Sequence, residues 1–133
     1  MRKIEFRGKC VTPWGEAGSW HFGSLLTEQK GDGKREVYIQ EGGDYYIVEP
    51  KTVGEYTGVV DNYGADIYEG DIILIDGNVE EVYIVELYLG EWALIHYDGD
   101  GFADTVTALN FFKPECLTVI DNIHDRKEYS KWQ

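Results

Sequence analysis

Four carboxylates, Asp61, Asp66, Glu69 and Asp71, fall inside the stretch VGEYTGVVDNYGADIYEGDIILI at residues 53–75. Carboxylates at that density can share a divalent cation or divide acid and base work, provided a fold brings their oxygens within a few ångströms. Chemistry of that kind would make the chain a metal-dependent hydrolase. The stretch holds no His, Lys, Arg, Ser or Cys to complete a hydrolytic constellation. It also lacks the alternating oxygen ligands and closing Glu of a calcium loop. Turn formation accounts for the same residues one by one. Asp61 and Gly64 occupy the first and fourth positions of a β-turn, where the carboxylate accepts a following amide. Glu69-Gly70-Asp71 makes the corner from which an apolar run departs, and Gly58 marks a bend before it. Gly58, Asp61, Gly64, Glu69, Gly70 and Asp71 are therefore read as structural turn residues, with no metal and no cofactor expected.

The histidines offer no better site. His21, His96 and His124 are scattered, with no two at ligand spacing on one element. Ser24 lies three residues from His21, and a strand sends those two side chains to opposite faces. No GxSxG, P-loop, HExxH or GxGxxG motif occurs. The chain is read as a binding protein rather than an enzyme.

The elements that carry these residues are strands. Sixteen glycines and ten tyrosines in 133 residues suit short extended pieces joined by tight turns. Residues 2–9, RKIEFRGK, alternate with Ile4 and Phe6 on one face; residues 19–27 continue as a strand in which Gly23 suggests a bulge or bend. KGDGK (30–34) turns the chain into EVYIQ, and EGGD (41–44) turns it again into YYIVE, a hairpin that Pro50 stops. IILI (72–75) followed by Asp76-Gly77 predicts a hairpin with EEVYIVELYL (80–89), and Gly90-Glu91 a further turn into WALIHY. TALNFF (107–112) has room for one helical turn, and HDRKEYSKW (124–132) for a short C-terminal helix. The expected fold is mainly β: an N-terminal β subdomain over residues 1–50, then an SH3-like small barrel with a C-terminal tail over 51–133. The two can also fold as one unit.

Charge narrows the partners. Twenty-five acids against twelve bases leave a net −13, which opposes binding to a phosphate backbone. Direct contact with nucleic acid is not expected. An acidic mimic of DNA that blocks a nucleic-acid enzyme remains the alternative, and it would need carboxylates in rows on one face. No apolar signal core follows Arg2-Lys3 and no run is long enough to span a bilayer, so a cytoplasmic protein without membrane contact is expected. Cys10 and Cys116 form no ligand spacing and are expected as thiols. Most of the aromatic residues should fill cores or pair across strands. Tyr56, Tyr63, Tyr68 and Trp92, near turns, are the candidates for exposed contact with a protein partner.

Several blocks of this sequence also resemble a known family. PKTVGEYTG (50–58), the turn at Asp61–Gly64 and IYEGDII (67–73) are similar to the central signature of the YopX family of phage and prophage proteins. RKIEFRGK (2–9), WHFGSLL (20–26) and VIDNIHD (119–125) resemble its opening, second and terminal blocks. Asp121 and His124 stand where the family has glycine and tyrosine, and Arg126-Lys127 replace a proline-containing helix start. The resemblance implies a phage or prophage product, β-rich and ending in an SH3-like barrel, and it brings no catalytic residues. It fits an accessory protein that binds a host or phage protein. Exposed edges on small β-domains need a cover, so a homo-oligomer is also an expectation.

Overall fold

The structure is a computed structural model describing residues 3–11 and 17–126. The chain divides into two compact units, Met1–Tyr56 and Thr57–Gln133. It is mainly β, with two antiparallel sheets. Among the described residues no helix is long and apolar enough to cross a membrane.

The first unit contains β1 (Phe6–Lys9), β2 (Trp20–Gln29), β3 (Arg35–Glu41) and β4 (Asp44–Ile47) in the order β4-β3-β2-β1. The start of β5 (Gly54–Val60) lies on the far side of β1, with Phe6 opposite Glu55. Both glycine turns form as expected. Lys30 and Lys34 close one, and Glu41 faces Asp44 across the other, where Gly42 takes φ 61°. Period-2 alternation sends Ile39 inward, fully buried, beside the equally buried Val48 and Cys10. Leu26, Tyr38 and Ile47 fall in a single cross-strand row on the opposite face.

Gly23 is required by a close approach of backbone, and the ladders on either side of it run without a register shift. A Cβ there would sit 1.9 Å from the Gln40 carbonyl oxygen. No rotamer relieves a clash with backbone, so β2 and β3 pair at this separation only with glycine.

The second unit carries the end of β5, then β6 (Asp66–Tyr68), β7 (Asp71–Ile75), β8 (Tyr83–Tyr88), β9 (Glu91–Tyr97), β10 (Ala103–Ala108) and β11 (Leu117–Asn122). One-turn 3-10 helices at Leu109–Phe111 and Pro114–Cys116 precede β11; the first is the helical turn expected at 107–112. The sheet order is β10-β9-β8-β7-β11. β7 is buried on both faces, which explains its unbroken apolar run. Ile73 packs with Ile67, Val85, Leu94, Leu109 and Leu117, while Ile72 packs with Ile84 on the other side.

Three expectations need adjustment. A closed SH3-like barrel is not found among the described residues: β10 and β11 end the sheet, and the outer side of β11 is taken by the turn at Asp61–Ala65. The hairpin at Asp76-Gly77 is longer than two residues. Asn78 closes a turn onto Ile75 and Glu80 bonds the Asn78 side chain, so the partner strand starts only at Tyr83. The predicted C-terminal helix falls largely at 127–132, outside the described residues, and residues 123–125 form a turn.

Gly23→Ala is expected to cost about 1–3 kcal/mol or more by overpacking. Denaturant unfolding should show the loss, with amide exchange accelerating first in β2 and β3.

Candidate functional site

The acidic stretch does not converge on a ligand. Asp61 is 4% exposed, and its carboxylate accepts three backbone amides: Tyr63 and Ala65 on Oδ1, each at 2.9 Å, and Val119 on Oδ2 at 3.0 Å. The first two bonds close its own turn, and the third ties that turn to β11. Gly64 completes the turn with φ 80° and donates to the Asp61 carbonyl. Burial alone would raise the pKa of the Asp61 carboxyl, yet the three amides outweigh it and hold the group below its ordinary range.

Asp71, 2% exposed, accepts the Tyr68 amide at 2.7 Å across the Glu69-Gly70 corner. Gly70 adopts φ 92°, donates to Val85 and accepts from Ile123, so the corner is fixed on both sides. Gly58 takes φ 87° within β5. Asp66 and Glu69 are half-buried. Among the described residues no three His, Cys, Asp or Glu side chains meet in a way that could hold a metal ion. With Asp61 and Asp71 turned inward onto amides, these acids also do not line up as a phosphate-like row.

The aromatic candidates separate by burial. Tyr63 stands 82% exposed at the tip of the Asp61 turn. Tyr56 and Tyr68 are buried, contrary to their expected exposure, because each extends inward from a strand. Trp92 is half-buried against the core of the second unit.

A different surface emerges in the first unit. Leu26, Tyr38 and Ile47 form one cross-strand row and Tyr45 lies opposite Gln40 beside it. Tyr45 and Leu26 are 53% and 41% exposed. Two adjoining hollows of about 350 and 390 Å³ share Tyr38 and Tyr45 as walls, with Glu28, Lys30 and Glu36 along their rim. In β3 the alternation that places Val37 and Ile39 on one face draws attention to that face alone. The same alternation, read for the opposite parity, puts Leu26, Tyr38 and Ile47 outside.

A second apolar hollow, about 220 Å³, lies in the second unit beside the β8–β9 turn, lined in part by Tyr88, Leu89, Ala93 and Val106. Leu89 there is 88% exposed and adopts φ 50°, a conformation unfavourable for a bulky side chain.

The histidines find local partners. His96 Nδ1 lies 2.6 Å from Asp104, which holds that carboxyl below its usual range. His21 stacks on Tyr46 at 3.6 Å. Its Nδ1 lies 2.7 Å from Glu41 Oε1 and its Nε2 3.1 Å from Ser19 Oγ. With the proton on Nδ1, His21 donates to Glu41 and accepts from Ser19, the connectivity of a nucleophile relay. Ser19 and His21 are two apart, the spacing that shares a strand face, whereas Ser24, three residues from His21, lies on the other face. His21 extends to the Ile39 side of the sheet, away from the Tyr38 groove.

Fold and site together describe a two-unit antiparallel β protein whose buried acids serve its turns and whose open face is aromatic. The chain belongs to the YopX family: the family described as YopX protein matches residues 19–128. A solved structure, the X-ray crystal structure of protein yopX from Bacillus subtilis, is similar at 15% identity and a TM-score of 0.48, over 92% of this chain and 92% of that one. No curated protein matches.

Asp61→Ala strips three backbone amides of their acceptor and is expected to cost roughly 2–3 kcal/mol in denaturant unfolding; Asp61→Asn keeps one carbonyl oxygen and should cost less. Because the folded pKa lies below the ordinary value of 3.8, the stabilisation is present above that pH and is lost as pH falls through the folded pKa. The wild-type chain should therefore lose stability below about pH 4, and Asp61→Asn should lack that component.

Proposed function

We propose that this chain is a phage- or prophage-encoded accessory protein that acts in the bacterial cytoplasm by binding another protein, without catalysis of its own. The observation that carries the reading is the open face of the first unit. Exposed Tyr45 and Leu26, with half-buried Tyr38 and Ile47, form a continuous apolar groove with a polar rim. Exposed aromatics around a shallow groove are the usual anchors of protein recognition. The chain's net charge of −13 disfavours nucleic acid as the occupant.

The second unit reads as an open relative of the SH3-like small barrel. Its support is topological: β7 to β10 run as a meander, a 3-10 turn precedes β11, and β11 returns beside β7. Such a module fits a scaffold that presents surfaces to partners, with the expected homo-oligomer as another way of covering them.

Two measurements test the reading. A tagged chain recovered from its lysogenic host should retain a protein that the Leu26→Ser, Tyr45→Ser double variant releases; retention unchanged by that variant would remove the groove from the proposal. The Ser19–His21–Glu41 relay is where the non-catalytic part is most open to refutation. A fluorophosphonate probe should leave Ser19 unlabelled, and labelling abolished by His21→Ala would overturn that part.

A further inference from the structure

Glu28 and Glu36 stand directly opposite one another on β2 and β3, beside the apolar row of Leu26, Tyr38 and Ile47. Like charges in facing positions repel, so the pair calls for a cation between its members. Lys30 supplies one from the adjoining turn: its Nζ lies 3.2 Å from Glu28 Oε1 and 3.9 Å from Glu36 Oε2. The Tyr38 hydroxyl donates to Glu36 at 2.9 Å and lies 3.5 Å from Glu28, so both carboxylates are held at the edge of the tyrosine ring. The Lys30 ammonium is correspondingly raised above its usual pKa range, first by its hydrogen bond to Glu28 and then by that to Tyr38.

This arrangement has the parts of a cation-binding groove. Tyr38 and Tyr45 offer aromatic faces that attract a cation. Leu26 and Ile47 offer apolar surface for the methylene stem that carries it. Glu28 and Glu36 supply two acceptors at one end. An exposed ion pair such as Lys30–Glu28 is weak, being solvated and screened, so an incoming cation exchanges with it at little cost.

Resting on the protein-binding reading above, we infer that the groove takes an arginine or lysine side chain from a basic segment of a partner protein, the incoming cation replacing Lys30 between Glu28 and Glu36. Arginine suits the site best, since its planar fork bonds two carboxylate oxygens while its face stacks on tyrosine. Lys30 is then an internal competitor for the partner's cation.

The test titrates the isotopically labelled full chain with an arginine-rich peptide and with its citrulline counterpart, which keeps the shape and loses the charge. The arginine peptide should shift amide signals of β2, β3 and β4, weaken as salt rises, and lose at least about tenfold in affinity to the Glu28→Gln, Glu36→Gln double variant. Lys30→Gln should bind it more tightly, because the competitor is gone; all three positions are at the surface, and an unchanged amide spectrum elsewhere verifies the fold. Equal binding of the citrulline peptide, or affinity indifferent to Glu28, Glu36 and Lys30, would overturn the cationic site while leaving an apolar protein-binding groove. If neither peptide moves the β2–β4 signals while the Leu26→Ser, Tyr45→Ser variant still releases a partner, the cation inference fails alone. If that variant releases nothing either, the wider reading fails with it.

Discussion

The Asp61 carboxylate is the constraint on which the second unit most visibly depends. One buried anion accepts amides from its own turn and from β11, residues 58 positions apart in sequence. An anion so deeply placed would be costly by itself. Three charge-assisted hydrogen bonds reverse that cost and convert it into a fastening. The Asn62 amide adds a parallel tie to the Leu117 carbonyl. Together these bonds occupy the outer side of β11, which is why the strand does not offer that edge for further pairing.

Asp71 repeats the principle on a shorter span. It accepts the Tyr68 amide across a corner whose glycine takes φ 92° and whose peptide groups bond Val85 and Ile123. A metal site would need such oxygens to point at a common centre. Here both Asp61 oxygens and Asp71 Oδ2 are already committed to backbone amides, so these two acids hold chain direction. The carboxylates at the surface, Glu28 and Glu36 among them, are left to meet whatever approaches.

Much of this architecture could be read from residue order. Gly42 and Gly64, with their neighbouring acids, marked turns that form where local chemistry favours positive φ. The unbroken IILI run identified a strand, which the structure then buries on both faces, and TALNFF a helical turn. Spacing was less informative wherever a turn had more than one way to end. Asp76-Gly77 carries a strong hairpin signal, yet the chain continues through Asn78 and Glu80 before pairing resumes at Tyr83.

What the sequence by itself determined is the β character and most of the turns, because these follow from local φ preferences and a two-residue period. Its blocks also revealed the family. Only the tertiary structure decided which aromatic residues are exposed, since Tyr56 and Tyr68 differ from Tyr45 and Tyr63 in what packs over them and not in their local patterns. The same is true of the contacts that give the side chains their roles. Asp61 meets Val119, His21 meets Glu41, and Glu28 meets Glu36 through strand pairing, and register across distant segments is a property of the assembled sheet.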